Sequence, residues 1–127
     1  METTNYLGIW MDHSSATCML LTGVRLTTTE ISSEFTHEER EESRTHGEKK
    51  MHNKEQHMTA KFFKEISNEI LKADEVLLFG PTDAKLELWN VLKLDHHFDN
   101  KKIAAETCVN FNGNQQLSFF KDYFELR

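Results

Sequence analysis

Short apolar runs separated by polar turns make up the first quarter of the chain. The runs YLGIWM (6–11) and ATCMLL (16–21) flank the turn-forming cluster DHSS (12–15), and this pattern predicts a β-hairpin. The β-branched run RLTTTEIS (25–32) follows Gly23 and predicts a third antiparallel strand. Its polar composition favours a position at the edge of a sheet.

In the segment 55–75 the apolar residues follow a helical period instead. Apolar residues recur at every fourth position there, which is typical of an amphipathic helix that packs one face on a sheet. We expect this helix to end near Lys72. Its predicted core side consists of Met58, Phe62, Phe63, Ile66 and Ile70.

Two further strands and two further helices follow. The run EVLLF (75–79) has the length and the bounding turns of a fully buried strand, and KKIAAET (101–107) predicts another strand. Between them, 82–94 predicts a helix that Thr82 would cap through its hydroxyl group. The last helix is predicted over 115–127. The expected core residues of these two helices are Leu86, Leu88, Trp89 and Leu92 in the first, and Leu117, Phe120 and Phe124 in the second.

The predicted order of elements is therefore β-β-β-α-β-α-β-α. The opening hairpins require antiparallel pairing, whereas the later strand–helix–strand units require parallel pairing, so the sheet must be mixed. We predict an α/β protein with a mixed five-stranded sheet and the order of the ribonuclease-H-like architecture. At 127 residues and 38% hydrophobic content, the chain fits one domain, residues 1–127.

The segment 36–57 interrupts this order. Half of its positions are charged, and apart from Met51 it has no apolar period. We therefore expect an exposed and mobile loop within the domain.

Composition indicates the compartment of the protein and the classes of partner it can bind. Cys18 and Cys108 lie far apart in apolar stretches, which favours two reduced thiols over a disulfide or a metal pair and indicates the cytoplasm. The start of the chain has no basic region followed by a long apolar run, and no run is long enough to span a membrane, so we expect neither export nor membrane insertion. A net charge of −6 argues against autonomous nucleic-acid binding.

Two stretches carry a resemblance to a known family. With GIWMDHSSA (8–16) and EVLLFGPTDAKLEL (75–88), the chain resembles a family of small bacterial proteins that are similar to the middle domain of archaeal and eukaryotic peptide release factors and of the Pelota rescue proteins. The resemblance implies a ribonuclease-H-like fold. Its motif is a strand that ends in a Gly-Pro turn followed by a lysine, matched here by Gly80, Pro81 and Lys85, and Asp12 and His13 fall in the first of the two stretches.

The chain departs from release factors at their functional loop. In those proteins the loop before the long helix carries a Gly-Gly-Gln triplet that positions a water molecule to hydrolyse the peptidyl ester. Here the corresponding stretch contains only Gly47 and Gln56, and no such triplet occurs anywhere in the sequence. Peptide release by that mechanism is therefore not predicted, and the resemblance implies a binding role of the kind that Pelota proteins have in ribosome rescue.

The turn LLFGPTDAK (77–85) admits two interpretations. A phosphate site would need a glycine-rich loop of successive N–H groups, but Gly80 stands alone, Pro81 has no N–H and Asp83 repels anions. The structural interpretation is that glycine allows close backbone approach and proline stiffens the exit of the strand. Lys85 would then lie one turn into the helix, either as a contact to RNA or to a partner protein or simply as a solvated side chain.

Enzymatic alternatives find less support. Ribonuclease-H-like nucleases hold two metal ions with clustered carboxylates, for which Asp12, Glu65, Glu69 and Asp83 are the available acids. The seven histidines lack the paired spacing of a zinc site, and His13 is interpreted as a turn residue bonded to local backbone. No serine or cysteine stands in a nucleophile signature. We therefore predict no catalytic residue, no metal site and no cofactor.

The sequence favours binding as the function. We expect the ribosome or a translation factor as partner, contacted by a small basic patch in the polar segment: Lys49, Lys50, His52 and Lys54, with Lys85 as a further candidate. The alternative is a protein-interaction or homo-oligomeric module without a translational role. In that case exposed apolar residues such as Phe111 and Tyr123 would contribute to the partner surface, although a core role for them is the default.

Overall fold

The computed structural model describes residues 4–33 and 48–126, with only the backbone given for 48–58. Five strands and three helices occur in this part of the chain: β1 (Asn5–Met11), β2 (Ser15–Thr22), β3 (Arg25–Ser32), α1 (Glu48–Ile70), β4 (Glu75–Gly80), α2 (Ala84–Lys93), β5 (Lys102–Thr107) and α3 (Gly113–Tyr123). A short 3-10 turn, His96–Phe98, follows α2. The element order is the predicted one.

All five strands form one mixed sheet in the order β3-β2-β1-β4-β5. The strands β1, β2 and β3 pair antiparallel through two tight turns, and β1, β4 and β5 pair parallel. β1 therefore lies in the middle of the sheet, and β3 and β5 form its edges. The predicted mixed five-stranded α/β architecture and the edge position of β3 are confirmed.

Helices cover both faces of the sheet. On the face that we call the two-helix face, Leu7, Ile9 and Met11 of β1 pack with Val76 and Leu78 of β4 against α1 and α2. The helices contribute fully or almost fully buried side chains to this core: Phe62, Phe63, Ile66, Ile70, Ala84, Leu88 and Leu92. The apolar side of α1 thus packs against the sheet, as the sequence predicted.

The opposite face, which we call the single-helix face, is covered by α3. Phe120 is fully buried there against Leu77 and Phe79 of β4. Gly8 lies directly below Phe120, because a β-carbon at position 8 would be only 2.5 Å from Cδ1 of the ring. The absence of a side chain at this position lets α3 approach β1 closely. α3 begins with a capping box in which Asn112 and Gln115 exchange hydrogen bonds, each 2.9 Å long.

The bounds of all three helices and one core position differ from the sequence expectation. α3 spans Gly113–Tyr123 rather than 115–127. α1 begins at Glu48 rather than near Glu55, because strong helix formers extend a helix at little cost once its apolar part has packed. α2 begins at Ala84, with Asp83 rather than Thr82 in the N-cap position. Leu86 is 42% exposed rather than in the core, whereas Leu88 and Leu92 are buried.

Candidate functional site

The carboxyl end of the parallel strands is the place where folds of this kind commonly bind ligands. β1 and β4 end side by side there, and the turn after β1 and the turn after β4 both carry residues singled out from the sequence. We call this region the Gly80 corner, defined as Asp12, His13 and Gly80 to Lys85. The structure brings the two motifs of the family resemblance together at the carboxyl end of these strands.

Gly80 fixes the geometry of the corner. Its φ angle of 155° lies in a range that residues other than glycine rarely adopt. A β-carbon at this position would overlap the carbonyl oxygen of Met11 in the neighbouring strand. The carbonyl group of Gly80 in turn accepts a hydrogen bond from the backbone N–H of Cys108, at 3.1 Å. One residue thus holds the ends of β1, β4 and β5 in place.

Asp12 closes the turn between β1 and β2. Its Oδ1 accepts hydrogen bonds from the backbone N–H groups of Ser14 (2.7 Å) and Ser15 (2.9 Å), the typical use of aspartate in a turn. His13 extends from the same turn to α2, where its Nε2 pairs with Oε2 of Glu87. Both of these side chains are about half exposed, so the pair contributes little stability. The contact nevertheless connects the first turn of the chain with α2.

Lys85 differs most from its predicted environment. The sequence led us to expect a solvent-facing lysine, but its side chain has no exposed surface, and it is the one buried charged residue among those described. Its Nζ donates a hydrogen bond to the carbonyl oxygen of Thr82, inside the turn that leads from β4 into α2. A buried ammonium group must find such an acceptor, because burial without one is costly. In this structure Lys85 therefore holds the turn together rather than presenting its charge to solvent.

We expect Lys85 to contribute to stability through this hydrogen bond. Lys85→Met keeps most of the buried volume but removes the donor, and should lower the free energy of unfolding by about 1–2 kcal/mol. Lys85→Ala also leaves a cavity and should cost about 2–5 kcal/mol. Urea denaturation of both variants measures the difference. Lys93→Met, on an exposed position of the same helix, is the control, and an equal effect of all three substitutions would contradict a buried role for Lys85.

The turn at the N-terminus of α2 does not have the arrangement of a phosphate-binding loop. The side chain of Asp83 caps no backbone N–H, and the hydroxyl of Thr82 accepts from the N–H of Ala84 at 3.3 Å. Pro81 contributes no donor. Thr82 therefore bonds two positions on, as predicted, although it stands one residue before the N-cap.

The acids considered for a metal-dependent nuclease do not come together. Asp12 is engaged in its turn, Glu65 is exposed, and the carboxylate of Glu69 accepts a hydrogen bond from Nζ of Lys72 at 3.1 Å. Within residues 4–33 and the described side chains of 59–126, no group of three or more histidine, cysteine or acidic residues is arranged to hold a metal ion.

Two histidines beyond the corner are described, and both lie on the surface. His96 and His97 pair with Asp99 and Asp95 at 3.0 and 2.6 Å and are strongly exposed. Hydrogen bonds from the backbone N–H and the ring of His97 lower the pKa of Asp95. His37 and His46 lie outside the described residues, and so do the side chains of His52 and His57.

Both cysteines are free thiols. Burial raises the pKa of Cys18 to about 12, so this thiol stays protonated and unreactive. Cys108 is only partly buried, and its pKa is raised chiefly by burial and further by Glu106, while the nearby ammonium of Lys85 lowers it. Neither thiol has the depressed pKa of a nucleophile.

The predicted basic patch lies on α1. Lys49, Lys50, His52 and Lys54 belong to the first turns of this helix, and their side chains are outside the described residues. Residues 34–47, which make up much of the predicted loop, are also outside them.

An aromatic cluster near the Gly80 corner was missed by the sequence analysis. On the single-helix face the ring of Trp10 stacks on Phe111 at 5.5 Å between centroids and meets Phe79 edge-on at 5.3 Å. Phe119 of α3 stacks on Phe79 at 5.3 Å. The alternation of side chains along β1 and β4 could have placed Trp10 and Phe79 on one face, but no local pattern joins them to Phe111. Phe111 is thus packed in a cluster, while Tyr123 is 41% exposed.

Comparison with solved structures finds this fold in Pelota proteins and in a translation termination factor. The Pelota protein of Thermoplasma acidophilum superposes with a TM-score of 0.59 at 12% identity, covering 95% of this chain and 33% of that protein. Pelota from Archaeoglobus fulgidus gives 0.57 at 12% identity, covering 95% and 32%. The archaeal translation termination factor aRF1 gives 0.50 at 16% identity, covering 95% and 38%. The expected likeness to these proteins is confirmed at the level of the fold.

The chain spans only about a third of the length of each of these proteins. No protein-family model matches it, and no curated protein matches it in sequence. None of the helices in the described part has the length and apolar character that crossing a bilayer requires.

Proposed function

We propose that this chain is a non-catalytic, translation-associated protein that binds the ribosome or a translation factor in the cytoplasm. The observation that carries the proposal is the extent of the fold likeness, since 95% of the chain superposes on Pelota and on a translation termination factor.

The recognition element in this proposal is the polar segment 36–57. It follows the edge strand β3, and its residues from Glu48 onward belong to α1. In the family resemblance it corresponds to the functional loop of release factors, without their Gly-Gly-Gln triplet. Lys49, Lys50 and Lys54 give this part of an acidic chain a local positive charge. Positive side chains displace counterions from ribosomal RNA, which makes such binding sensitive to salt.

We expect purified protein to co-sediment with ribosomes at low salt and to be released as salt is raised. Replacing Lys49, Lys50 and Lys54 by glutamate should reduce the bound fraction at least about tenfold, because three phosphate-facing charges are reversed. The thermal melt of this variant should match that of the wild type. Sucrose-cushion sedimentation and differential scanning fluorimetry measure the two quantities.

The matched control reverses three exposed lysines elsewhere, Lys64, Lys93 and Lys102, and changes the net charge by the same amount. This control should still co-sediment. The proposal fails if the wild type never sediments with ribosomes and affinity purification from the native cell returns no translation factor. Equal loss in both triple variants would instead mean that overall charge, not the segment 36–57, governs binding.

A further inference from the structure

A cavity of about 520 Å³ lies on the single-helix face, between the end of α3 and the first residues of β4 and β5. Its size falls within the range of about 300–1,000 Å³ that is usual for small-molecule sites. β1 contributes Tyr6 to the lining, and the last turn of α3 with the residues after it contributes Tyr123, Phe124 and Glu125. The cavity is separate from the Gly80 corner, which lies at the opposite, carboxyl end of the parallel strands.

Three aromatic side chains line this cavity. The rings of Tyr6 and Phe124 lie 4.9 Å apart between centroids. Those of Tyr123 and Phe124 are also 4.9 Å apart and stand almost perpendicular, at 89°. Tyr123 is 41% exposed, so its ring is accessible to a ligand from solvent. The electron-rich face of an aromatic ring attracts a cation, and rings set at steep angles can contact one cation from several sides.

Two carboxylates without a cationic partner complete the lining. Among the described residues, the side chains of Glu75 and Glu125 take part in no ion pair and no hydrogen bond. Glu75 lies beside Tyr6 in the ladder of β1 and β4, and side chains alternate along the strand, so it faces this side of the sheet while Val76 faces the other. Lys102, beside Glu75 in the next ladder, is the one basic residue in the lining. Two glutamates and one lysine give the lining a net charge of −1.

The backbone at the end of α3 offers few free hydrogen-bond acceptors. The N–H of Phe124 donates to the carbonyl oxygens of Phe120 and Asp122. The N–H of Leu126 donates to the carbonyl oxygen of Lys121 at 2.7 Å. Three of the four carbonyl groups that a helix leaves free at its C-terminus are thus engaged. A primary ammonium group needs several acceptors when it leaves water and finds few here besides the two carboxylates, whereas a quaternary ammonium group needs none.

We propose that this cavity binds a small organic cation, a quaternary ammonium group on an apolar body. The three aromatic rings contact the methyl groups of the cation. The carboxylates of Glu75 and Glu125 attract its charge, and the apolar body lies against Ala104 of β5. The inference goes beyond the proposed binding to ribosomes and does not depend on it.

The probe is benzyltrimethylammonium, titrated into isotope-labelled protein and followed by NMR. We expect saturable shifts of the backbone amides of Ala104, Phe124 and Glu125, with a Kd of about 0.3–3 mM, as is usual for a ligand of this size. Benzylamine, a primary amine with the same ring, should bind at least about threefold more weakly. The anion phenylpropionate should cause no saturable shifts. Added salt should weaken the binding of benzyltrimethylammonium, because it screens the attraction between the cation and the carboxylates.

Two variants test the residues that carry the proposal. Tyr123→Ala removes an exposed ring and should raise the Kd at least about fivefold, whereas Tyr123→Phe keeps the ring and should bind as the wild type does. Glu75→Gln keeps the shape of the side chain but removes its charge, so it should raise the Kd at least about twofold and reduce the salt dependence. Glu30→Gln, an exposed acid on the edge strand β3, is the matched control and should change neither quantity. Circular dichroism verifies that each variant is folded.

The proposal is overturned if benzyltrimethylammonium causes no saturable shifts, or if the shifted amides lie away from the cavity. Equal affinity for all three probes would indicate an unselective apolar surface and overturns it as well. So does a Kd that Tyr123→Ala leaves unchanged. Glu75→Gln gives the same decision without truncating a ring, since an unchanged Kd and salt dependence in this variant contradict a cation site. Sedimentation with ribosomes is measured separately, so the failure of one proposal leaves the other intact.

Discussion

Replacing Gly80 by alanine is expected to remove a large part of the free energy of unfolding. Two costs combine at this position. The backbone adopts a φ angle of 155°, which alanine rarely adopts, and the new methyl group overlaps the carbonyl oxygen of Met11. Backbone of a central strand cannot move aside as a flexible side chain can. We expect a loss on the order of 4 kcal/mol or more, out of a typical total of about 5–15 kcal/mol.

Guanidinium denaturation monitored by tryptophan fluorescence measures this loss. Two other glycines provide graded controls. Gly113→Ala meets no atom within 4 Å and should be nearly neutral. Gly23 has a φ angle of 63° but open space around it, so Gly23→Ala should cost about 1–2 kcal/mol from backbone strain alone. If Gly80→Ala lost no more free energy of unfolding than Gly23→Ala, this would contradict the close approach of β4 to the end of β1.

Truncating Phe120 to alanine is expected to cost about 3–5 kcal/mol, the usual range for a large buried aromatic side chain. The ring is fully buried and is the one buried side chain of α3, packed against Leu77 and Phe79 of the sheet. It lies over Gly8 and meets Phe124 edge-on at 5.7 Å between centroids. We expect the variant to lose near-ultraviolet circular dichroism and to melt at a markedly lower temperature, as α3 detaches more easily.

A double-mutant cycle connects this prediction with Gly8. In the wild type, Gly8→Ala forces its methyl group against the ring of Phe120 and should cost about 1–3 kcal/mol. In the Phe120→Ala background the same substitution fills part of the cavity and should be neutral or stabilising. Additive losses, with no coupling between the two sites, would show that α3 does not rest on Gly8.

The sequence allowed the sheet to be predicted because each strand carried its own local signal. β4 reads as a short apolar run because both of its faces are buried, and β3 reads as polar because it lies at an edge. The helices were recognised by the spacing of their apolar residues, which explains why the start of α1 was misplaced. Near Glu48 the helix carries no apolar period, and only intrinsic propensity could have indicated it.

The Gly80 corner was predictable in position but not in chemistry. A glycine-proline pair after a buried strand marks a turn at the end of a sheet, and that location proved correct. Lys85 was expected at the surface because polarity is the usual guide to exposure, but its ammonium group satisfies a carbonyl oxygen only three residues away. Pairing of His13 with Glu87 joins residues far apart in sequence, and no local pattern can reveal such a contact.

The central position of β1 has a consequence for the order in which the chain acquires structure. Among the five strands β1 is synthesised first, and its second neighbour, β4, follows only after β3 and the whole of α1. At about 5–20 residues per second, several seconds pass between the synthesis of β3 and that of β4. During this time one side of β1 has no neighbouring strand. Until α1 is complete, Leu7, Ile9 and Met11 have no helix to cover them. Aggregation at high expression levels should therefore begin from this N-terminal half, before β4 emerges.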